Sequence, residues 1–266
     1  MSFERDTRVE SLGGGRFVAE VRDGWDIAGN ANGGYLLAIA ARAMLELSGR
    51  SDPISVTAHY LRPGRPGPVS IEGRAIKEGK RFATVGATMR SGDQPLLEVL
   101  GTFGALAAEP APPERIDGAP PALPPPEQCG RRAEELHAEG SSFMHRVDLR
   151  MHPDDDGFRT GRPSGEPQMR GWLRLADDEP IDPLALLLCA DALPPTIFNA
   201  ALPVGWAPTL ELTVHLRARP TPGWLRAAFR TRFVTGGFMD EDGELWDASG
   251  RLVAQSRQLA LLPRGE

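Results

Sequence analysis

The pattern of apolar and polar positions along the chain changes between helical and strand-like spacing in a fixed order, and this order occurs twice. In the first half, an Ala- and Leu-rich stretch predicts a helix over residues 35–47. Alternating apolar and polar side chains then predict four strands, over residues 54–61, 69–77, 81–90 and 96–106. A helix followed by an antiparallel four-stranded meander is therefore expected.

The second half repeats this arrangement after two entry strands, predicted over residues 143–151 and 168–175. The stretch from Asp182 to Pro195 is apolar on nearly every face, with a capping aspartate, a proline in its first turn and two prolines at its end. It predicts a buried helix. Later strands are predicted over residues 209–218, 224–235, 244–248 and 252–262.

The spacing of matching residues predicts an internal duplication. His59 and His215 stand in the strand that follows each predicted helix, and a glycine comes eight residues after each of them. Counting back 24 residues from the two histidines reaches Tyr35 and Asp191, which predicts that the two helices are in register. A repeat of this length is typical of a duplicated domain.

A proline-rich segment separates the two copies. Residues 107–128 show neither helical nor strand periodicity and predict an extended, semi-rigid linker. The predicted domains are therefore residues 1–106 and residues 129–266, and each combines a helix with an antiparallel sheet. The predicted fold class is α+β.

Composition narrows the range of partners. The 266-residue chain has a formal net charge of −6 and no basic cluster, which argues against nucleic acid as a partner. No apolar run is long enough to span a membrane, and the first residues lack the apolar core of a signal peptide. Two cysteines do not make a disulfide framework. We therefore expect a cytoplasmic protein that works without a membrane.

Asp191 is the ionisable residue in the apolar stretch of the second half. Burying a carboxylate costs several kcal/mol, roughly, unless hydrogen bonds or a raised pKa compensate for it. Such carboxylates cluster at functional sites, although structural examples also occur. Asp191 is thus either a catalytic group or a helix-terminal carboxylate that is hydrogen-bonded into the core.

The first predicted helix opens with Asn32, Gly33 and Gly34, followed by Tyr35. Backbone N–H groups at a helix N-terminus favour negative charge, and glycines let a ligand approach the backbone closely. We interpret Asn32 as the N-cap, the two glycines as backbone donors to a thioester oxygen, and all four residues as substrate-binding. The alternative is that the glycines only turn the chain tightly into the helix.

These features together resemble a double hotdog, and the chain is similar to the bacterial acyl-CoA thioesterase II family and its thioesterase-like relatives over nearly its whole length. Three segments match: the apolar run that holds Asp191, the segment Pro-Thr-Leu-Glu that holds Thr209, and the segment Leu-Val-Ala-Gln-Ser-Arg-Gln that ends at Gln258. The resemblance implies that these three residues hold and activate a water molecule. It also implies an acyl-CoA or related thioester as substrate, with coenzyme A present only as part of that substrate.

The chemistry of these residue types suits thioester hydrolysis. Asp191 can take a proton from water, while Thr209 and Gln258 orient that water by hydrogen bonds. Direct attack by Asp191 through an anhydride is an alternative mechanism. Segments next to the three residues depart from the family pattern, which leaves a non-catalytic protein that binds acyl or polyketide thioesters as a second interpretation. A hotdog enoyl-CoA hydratase is a third, but no aspartate is followed at short spacing by a histidine near either helix start.

The histidines and the basic residues give weaker predictions about metal and phosphate binding. His59 and His215 have no second ligand at metal spacing, so no metal is expected. Lys80-Arg81 and the segment from Arg62 to Arg65 either contact the phosphates of coenzyme A or form solvated turns. The family resemblance also implies a homodimer or homotetramer of the double unit.

Overall fold

The computed structural model describes residues 2–107, 114–131, 143–176, 178–202 and 204–263. The α-helices of these residues are α1 (Phe3–Asp6), α2 (Gly33–Ser48) and α3 (Ala185–Cys189). The strands of the first half are β1 (Val9–Gly13), β2 (Arg16–Val21), β3 (Asp26–Ile27), β4 (Asn30–Ala31), β5 (Asp52–Tyr60), β6 (Gly67–Glu78), β7 (Ala83–Ser91) and β8 (Gln94–Gly104). The strands that follow are β9 (Gly130–Arg131), β10 (Val147–Met151), β11 (Gln168–Leu175), β12 (Thr209–Leu216), β13 (Leu225–Arg230), β14 (Val234–Thr235), β15 (Phe238–Trp246) and β16 (Leu252–Leu261).

Fourteen strands of the described residues form one antiparallel sheet that crosses both halves of the chain. Its order is β1-β2-β6-β7-β8-β5-β12-β16-β15-β13-β11-β10-β9, with β14 paired to β15, while β3 and β4 pair separately. Strands β5 and β12 meet in the middle, where Thr57 lies opposite Thr213 and their hydroxyl oxygens are 2.9 Å apart. These are the residues that the predicted duplication makes equivalent, so a pseudo-twofold axis passes between them. The expected α+β double hotdog architecture is confirmed.

Helix α2 is buried in the first half and begins and ends where the sequence indicates. The Asn32 side chain caps it by accepting a hydrogen bond from the Tyr35 amide, and Gly49 ends it in a left-handed conformation. Its alanines, Leu36 and Leu37 are almost completely buried, and Leu45 and Leu47 near its end are partly buried. The helix packs against β5, β6, β7 and β8, so its N-terminus is held in a fixed position next to the central strands.

The second helix is much shorter than the predicted span of residues 182–195. Asp182 Oδ1 accepts a hydrogen bond from the Ala185 amide at 2.7 Å, as the sequence predicts for a capping aspartate, although Leu184 is the residue directly before α3. Every residue of α3 is buried. The helix ends at Cys189, so Asp191 follows α3, whereas Tyr35 is the third residue of α2. The prediction that the two helices are in register is therefore wrong.

The strands after α3 also differ from the prediction at one point. The strand predicted over residues 224–235 is broken between β13 and β14. At the break, the backbone amides of Arg232 and Phe233 bond to the side-chain carboxylate of Asp240, at 3.3 Å and 2.8 Å, and not to a backbone carbonyl. The next strand, β15, begins at Phe238, six residues before the predicted start at Glu244.

The proline-rich segment is irregular where it is described. Residues 114–125 form no regular secondary structure, and Pro126–Gln128 form one 3-10 turn. The indole of Trp172 on β11 donates a hydrogen bond to the carbonyl of Pro124 at 2.8 Å, which fixes the end of the segment to the second half. Residues 108–113 of the predicted linker lie outside the described residues, and the domain boundaries stay a prediction. In the described part of the chain, no helix has the length and apolar character needed to cross a membrane.

Candidate active site

A cavity of about 590 Å³ lies beside the N-terminus of α2, where both halves of the chain contribute to its wall. One side is formed by the start of α2 and the segment after β5, and the other by the turn after α3 and by strands β12, β15 and β16. Much of the lining is apolar and includes Leu36, Phe143, Met144, Pro194, Phe198 and Trp206. The cavity therefore combines an apolar wall with a small number of polar groups, which is typical of small-molecule sites.

Asp191 is held in this cavity by the first turn of α2, although the two elements are more than 150 residues apart in sequence. Its Oδ2 accepts hydrogen bonds from the Gly34 amide at 2.9 Å and from the Asn32 side-chain amide at 3.0 Å. The Asn32 amide also donates to the Asp191 carbonyl at 2.8 Å. The helix N-terminus thus binds an anion as expected, but this anion is a carboxylate of the same chain.

The two glycines are required because the halves approach closely here. A Cβ on Gly34 would lie 2.7 Å from the Leu187 carbonyl oxygen and 2.9 Å from the Leu188 Cα. A Cβ on Gly33 would lie 3.0 Å from Asp191 Oδ2. The predicted backbone donation from Gly34 to a thioester oxygen is not compatible with this arrangement, because its amide is already bonded to Asp191.

The environment of Asp191 raises its pKa from the usual 3.8 to about 6. Burial is the main cause, and it is opposed by hydrogen bonds from the backbone amides of Gly34 and Gly33 and from the Asn32 side chain. A carboxylate with a pKa near 6 is ionised at neutral pH but is a stronger base than an ordinary aspartate. This is the property that a general base in this position needs.

Thr209 and Gln258 line the same cavity and contact each other. The Gln258 side-chain amide donates to Thr209 Oγ1 at 2.8 Å, from β16 to the adjacent strand β12. Because Thr209 accepts this bond, its own hydroxyl proton remains able to point into the cavity. The three residues predicted to act together therefore lie on one cavity, although no hydrogen bond joins Asp191 directly to the other two in the described structure.

Tyr35 does not belong to this site, contrary to the prediction that it binds substrate. Its side chain is completely buried and stacks on Trp25, with ring centroids 5.0 Å apart. Its hydroxyl donates to the Asp6 carbonyl at 2.7 Å and accepts from the Arg22 amide at 3.1 Å. Tyr35 follows the glycines in sequence, but the helical turn directs its side chain into the core on the other side of α2.

Glu241 is a cavity residue that the sequence prediction did not include. It occupies an inward position of β15 opposite Gln258, is 6% exposed, and accepts a hydrogen bond from the Thr196 amide at 2.8 Å. Burial raises its pKa from 4.5 to about 7, and the nearby negative charge of Asp191 contributes to this rise. If the strand had been predicted to begin at Phe238, the alternation of inward and outward positions would have identified Glu241 as an inward-facing residue.

Two further polar side chains, Tyr60 and Arg62, lie on the cavity wall. Arg62 is one of the basic residues for which the sequence allows contact with the phosphates of coenzyme A. Two others, Lys80 and Arg81, line a separate depression of about 410 Å³ and not this cavity. Within the described residues, no group of three His, Cys, Asp or Glu side chains is arranged to hold a metal ion.

Comparison with known proteins gives a consistent result. The model of an acyl-CoA thioesterase N-terminal domain matches residues 21–104, and that of an acyl-CoA thioesterase C-terminal domain matches residues 118–262. Uncharacterized proteins of Mycobacterium tuberculosis and Mycobacterium bovis are 28% identical, over 93% of this chain and 91% of theirs.

Solved structures agree with these matches. A provisional thioesterase II from Thermobifida fusca is 36% identical, with a TM-score of 0.89 over 98% of this chain and 97% of its own. An acyl-CoA thioesterase II from Mycobacterium marinum, at 18% identity, shares the fold with a TM-score of 0.74 over 100% of this chain and 99% of its own. The chain therefore belongs to the acyl-CoA thioesterase family.

Proposed function

We propose that this protein hydrolyses acyl-CoA thioesters to the free acid and coenzyme A. The observation that carries the proposal is the position of Asp191, whose carboxylate faces a largely apolar cavity with a pKa of about 6 and is held by the N-terminus of α2. Thr209 and Gln258 line the same cavity as a bonded pair. The apolar wall suits an acyl chain, and these polar groups suit a water molecule next to a carbonyl carbon.

In the proposed mechanism, Asp191 takes a proton from a water molecule as the water oxygen attacks the thioester carbonyl carbon. Thr209 and Gln258 orient this water by hydrogen bonds. The tetrahedral intermediate then collapses, the carbon–sulfur bond breaks, and protonated Asp191 returns its proton to the thiolate, which regenerates the base. Since Asp191 Oδ2 already accepts two hydrogen bonds, its other oxygen is the one proposed to act as the base.

We propose Arg62 as the contact for a phosphate group of coenzyme A, because it lies on the cavity wall and is exposed to solvent. The proposed substrate would then lie with its phosphates near Arg62 and its acyl chain along the apolar side chains. Arg62→Ala is expected to raise KM for acyl-CoA and to leave KM for a short thioester without phosphates unchanged.

The activity is tested by measuring the release of free thiol from a panel of acyl-CoA esters that differ in chain length. Turnover of at least one ester, with loss of turnover in Gln258→Ala, supports the proposal. Binding of an ester without any turnover across the panel would favour a non-catalytic thioester-binding protein instead. Hydrolysis in H₂¹⁸O tests the anhydride route: label in Asp191 would show that Asp191 attacked the thioester and that water then opened the anhydride at the aspartyl carbon, whereas attack by water on the thioester places the label only in the product acid.

A further inference from the structure

Asn32 makes more hydrogen bonds than the N-cap of a helix needs. Its Oδ1 accepts a hydrogen bond from the Tyr35 amide at 2.9 Å, which is the ordinary N-cap contact. Its Nδ2 donates to the Asp191 carbonyl oxygen at 2.8 Å and to Asp191 Oδ2 at 3.0 Å. Asn32 is 6% exposed, so little water competes for these bonds. One side chain therefore joins the first turn of α2 to the turn after α3.

The N-cap contact fixes which way the side-chain amide of Asn32 points. Because Oδ1 accepts the bond from the helix, the NH₂ group has to face Asp191. Serine and aspartate cap helices as well as asparagine does. However, ionised aspartate has no proton to donate, and serine has one proton and so cannot donate to two oxygens. Capping α2 therefore does not by itself require asparagine, whereas the two bonds to Asp191 do.

Among the described residues, Asn32 is the side chain that holds the Asp191 carboxylate. The other titratable or charged side chains of the cavity wall are Glu241, Tyr60 and Arg62, and none of them is hydrogen-bonded to Asp191 in the described structure. Donors stabilise the ionised form of a carboxylate, and the bond from Asn32 opposes the rise in pKa that burial causes. Without this bond, the pKa of Asp191 would be higher and less of the base would be ionised at neutral pH.

We propose that Asn32 is a positioning residue that fixes the Asp191 carboxylate in the orientation needed for proton transfer from water, and that this role requires asparagine at the N-cap of α2. This inference rests on the proposed function, and it replaces the substrate-binding role that the sequence suggested for Asn32. As water attacks the thioester, its proton passes to the Asp191 oxygen that Asn32 does not hold. Asn32 itself neither gains nor loses a proton.

The kinetic test compares Asn32→Ser and Asn32→Asp with wild type, because both variants keep an N-cap acceptor for α2 and lose donors to Asp191. We expect kcat to fall by about tenfold or more with little change in KM, since the base is no longer held in place. The rise of kcat with pH should move up by about one pH unit in Asn32→Ser, because a donor to the ionised carboxylate is lost. It should move further in Asn32→Asp, where a second negative charge lies beside Asp191.

Asn199→Ser is the matched control. The buried side-chain amide of Asn199 also donates to two backbone carbonyls, those of Asp155 and Gln168 at 2.8 Å and 2.9 Å, and none of these three residues lines the cavity. Asn199→Ser should therefore lower the melting temperature and keep the wild-type pH dependence of kcat. A folded Asn32→Ser protein with a raised KM and the wild-type pH dependence of kcat would overturn the proposal, because that result is expected of a substrate-binding residue.

A titration without substrate separates failure of this inference from failure of the proposed function. The ionisation of Asp191 is followed by NMR in protein with ¹³C-labelled aspartate, and the signal is assigned by its loss in Asp191→Asn. Wild type should titrate near pH 6, and Asn32→Ser about one pH unit higher. Equal midpoints overturn the role of Asn32 even if esters are hydrolysed. If the midpoint rises but no ester is hydrolysed, Asn32 does hold Asp191, and only the proposed function fails.

Discussion

At the scale of single residues, two carboxyl groups face the cavity in different ways. Asp191 is bonded by groups at a helix N-terminus, whereas Glu241 receives a hydrogen bond from the Thr196 amide and forms no ion pair in the described part of the chain. Both pKa values are raised by burial, to about 6 and about 7. The two groups therefore titrate in the range where the protein is expected to work.

The proposed role of Asp191 predicts a particular pH dependence. The base must be ionised, so kcat/KM should rise with pH through about 6 and become constant above it. Steady-state kinetics between about pH 4.5 and pH 8, in buffers of constant ionic strength, measures this directly. A profile that is flat over this range would mean that Asp191 does not act as the base.

Glu241 predicts a pH dependence of stability. Its folded pKa is raised above the 4.5 of an ordinary glutamate to about 7, so between these values the folded state holds a proton that the unfolded state lacks. Stability therefore falls as pH rises through this window, by about 3 kcal/mol at most. The Glu241→Gln variant has no carboxyl group at this position and so does not lose stability in this way. Its free energy of unfolding should exceed the wild-type value by an amount that grows from near zero at about pH 4.5 to its maximum above about pH 7.

Urea unfolding of wild type and Glu241→Gln at several pH values tests this prediction. Glu72→Gln, at an exposed position of β6, is the matched control, because it removes one negative charge outside the cavity. A difference between Glu241→Gln and wild type that does not change with pH would contradict it. The raised pKa of Asp191 also lowers the stability of the folded protein as pH rises, but at lower pH. Both proteins contain Asp191, so this effect cancels when Glu241→Gln is compared with wild type.

At the scale of elements, the site depends on how closely α2 approaches α3. A Cβ on Gly34 would meet backbone atoms of Leu187 and Leu188 as well as Cβ of Asp191, whereas a Cβ on Gly33 would meet the side chains of Tyr60 and Asp191. Gly34→Ala should therefore destabilise the protein by about 1–3 kcal/mol, because backbone has to shift. Gly33→Ala should reduce activity more than stability, because the groups that it displaces are side chains of the site.

Thermal unfolding and thiol release, measured on both variants, distinguish these two effects. A Gly34→Ala protein with wild-type stability would show that the contact between α2 and α3 is not tight. Equal losses of stability and activity in both variants would show that the two glycines have the same role.

Sequence patterns predicted α2 well and the second helix poorly, for a physical reason. The predicted helix at residues 35–47 became Gly33–Ser48, because its capping residue and terminal glycine are local signals. The stretch from residue 182 to 195 is apolar enough for a long helix, but the helix ends at Cys189, and the turn that follows brings Asp191 to the first turn of α2. That contact is tertiary, and local propensity does not encode it.

The same difference applies to the candidate site. Asp191, Thr209 and Gln258 could be selected because motifs of a known family fall on them, and the structure places all three on one cavity. Glu241 belongs to no such motif. It was missed because the strand that holds it was predicted to begin only at Glu244, whereas β15 begins at Phe238.

At the scale of the whole molecule, the two halves are joined so that neither contains a complete site. The central strands β5 and β12 pair at Thr57 and Thr213, and this places the N-terminus of α2 from the first half against the turn after α3 from the second. The first half supplies the donors that hold Asp191, and the second half supplies Asp191, Thr209 and Gln258. The duplicated halves have thus acquired different roles in one site.

The most direct test of this account is thiol release by Asp191→Asn beside wild type, on an acyl-CoA ester that wild type hydrolyses. Asp178→Asn serves as the control, because Asp178 lies on an exposed turn away from the cavity. The account predicts a fall in kcat of roughly 100-fold or more for Asp191→Asn, with the fold retained by circular dichroism, and wild-type activity for the control. Undiminished hydrolysis by a folded Asp191→Asn protein would contradict the account.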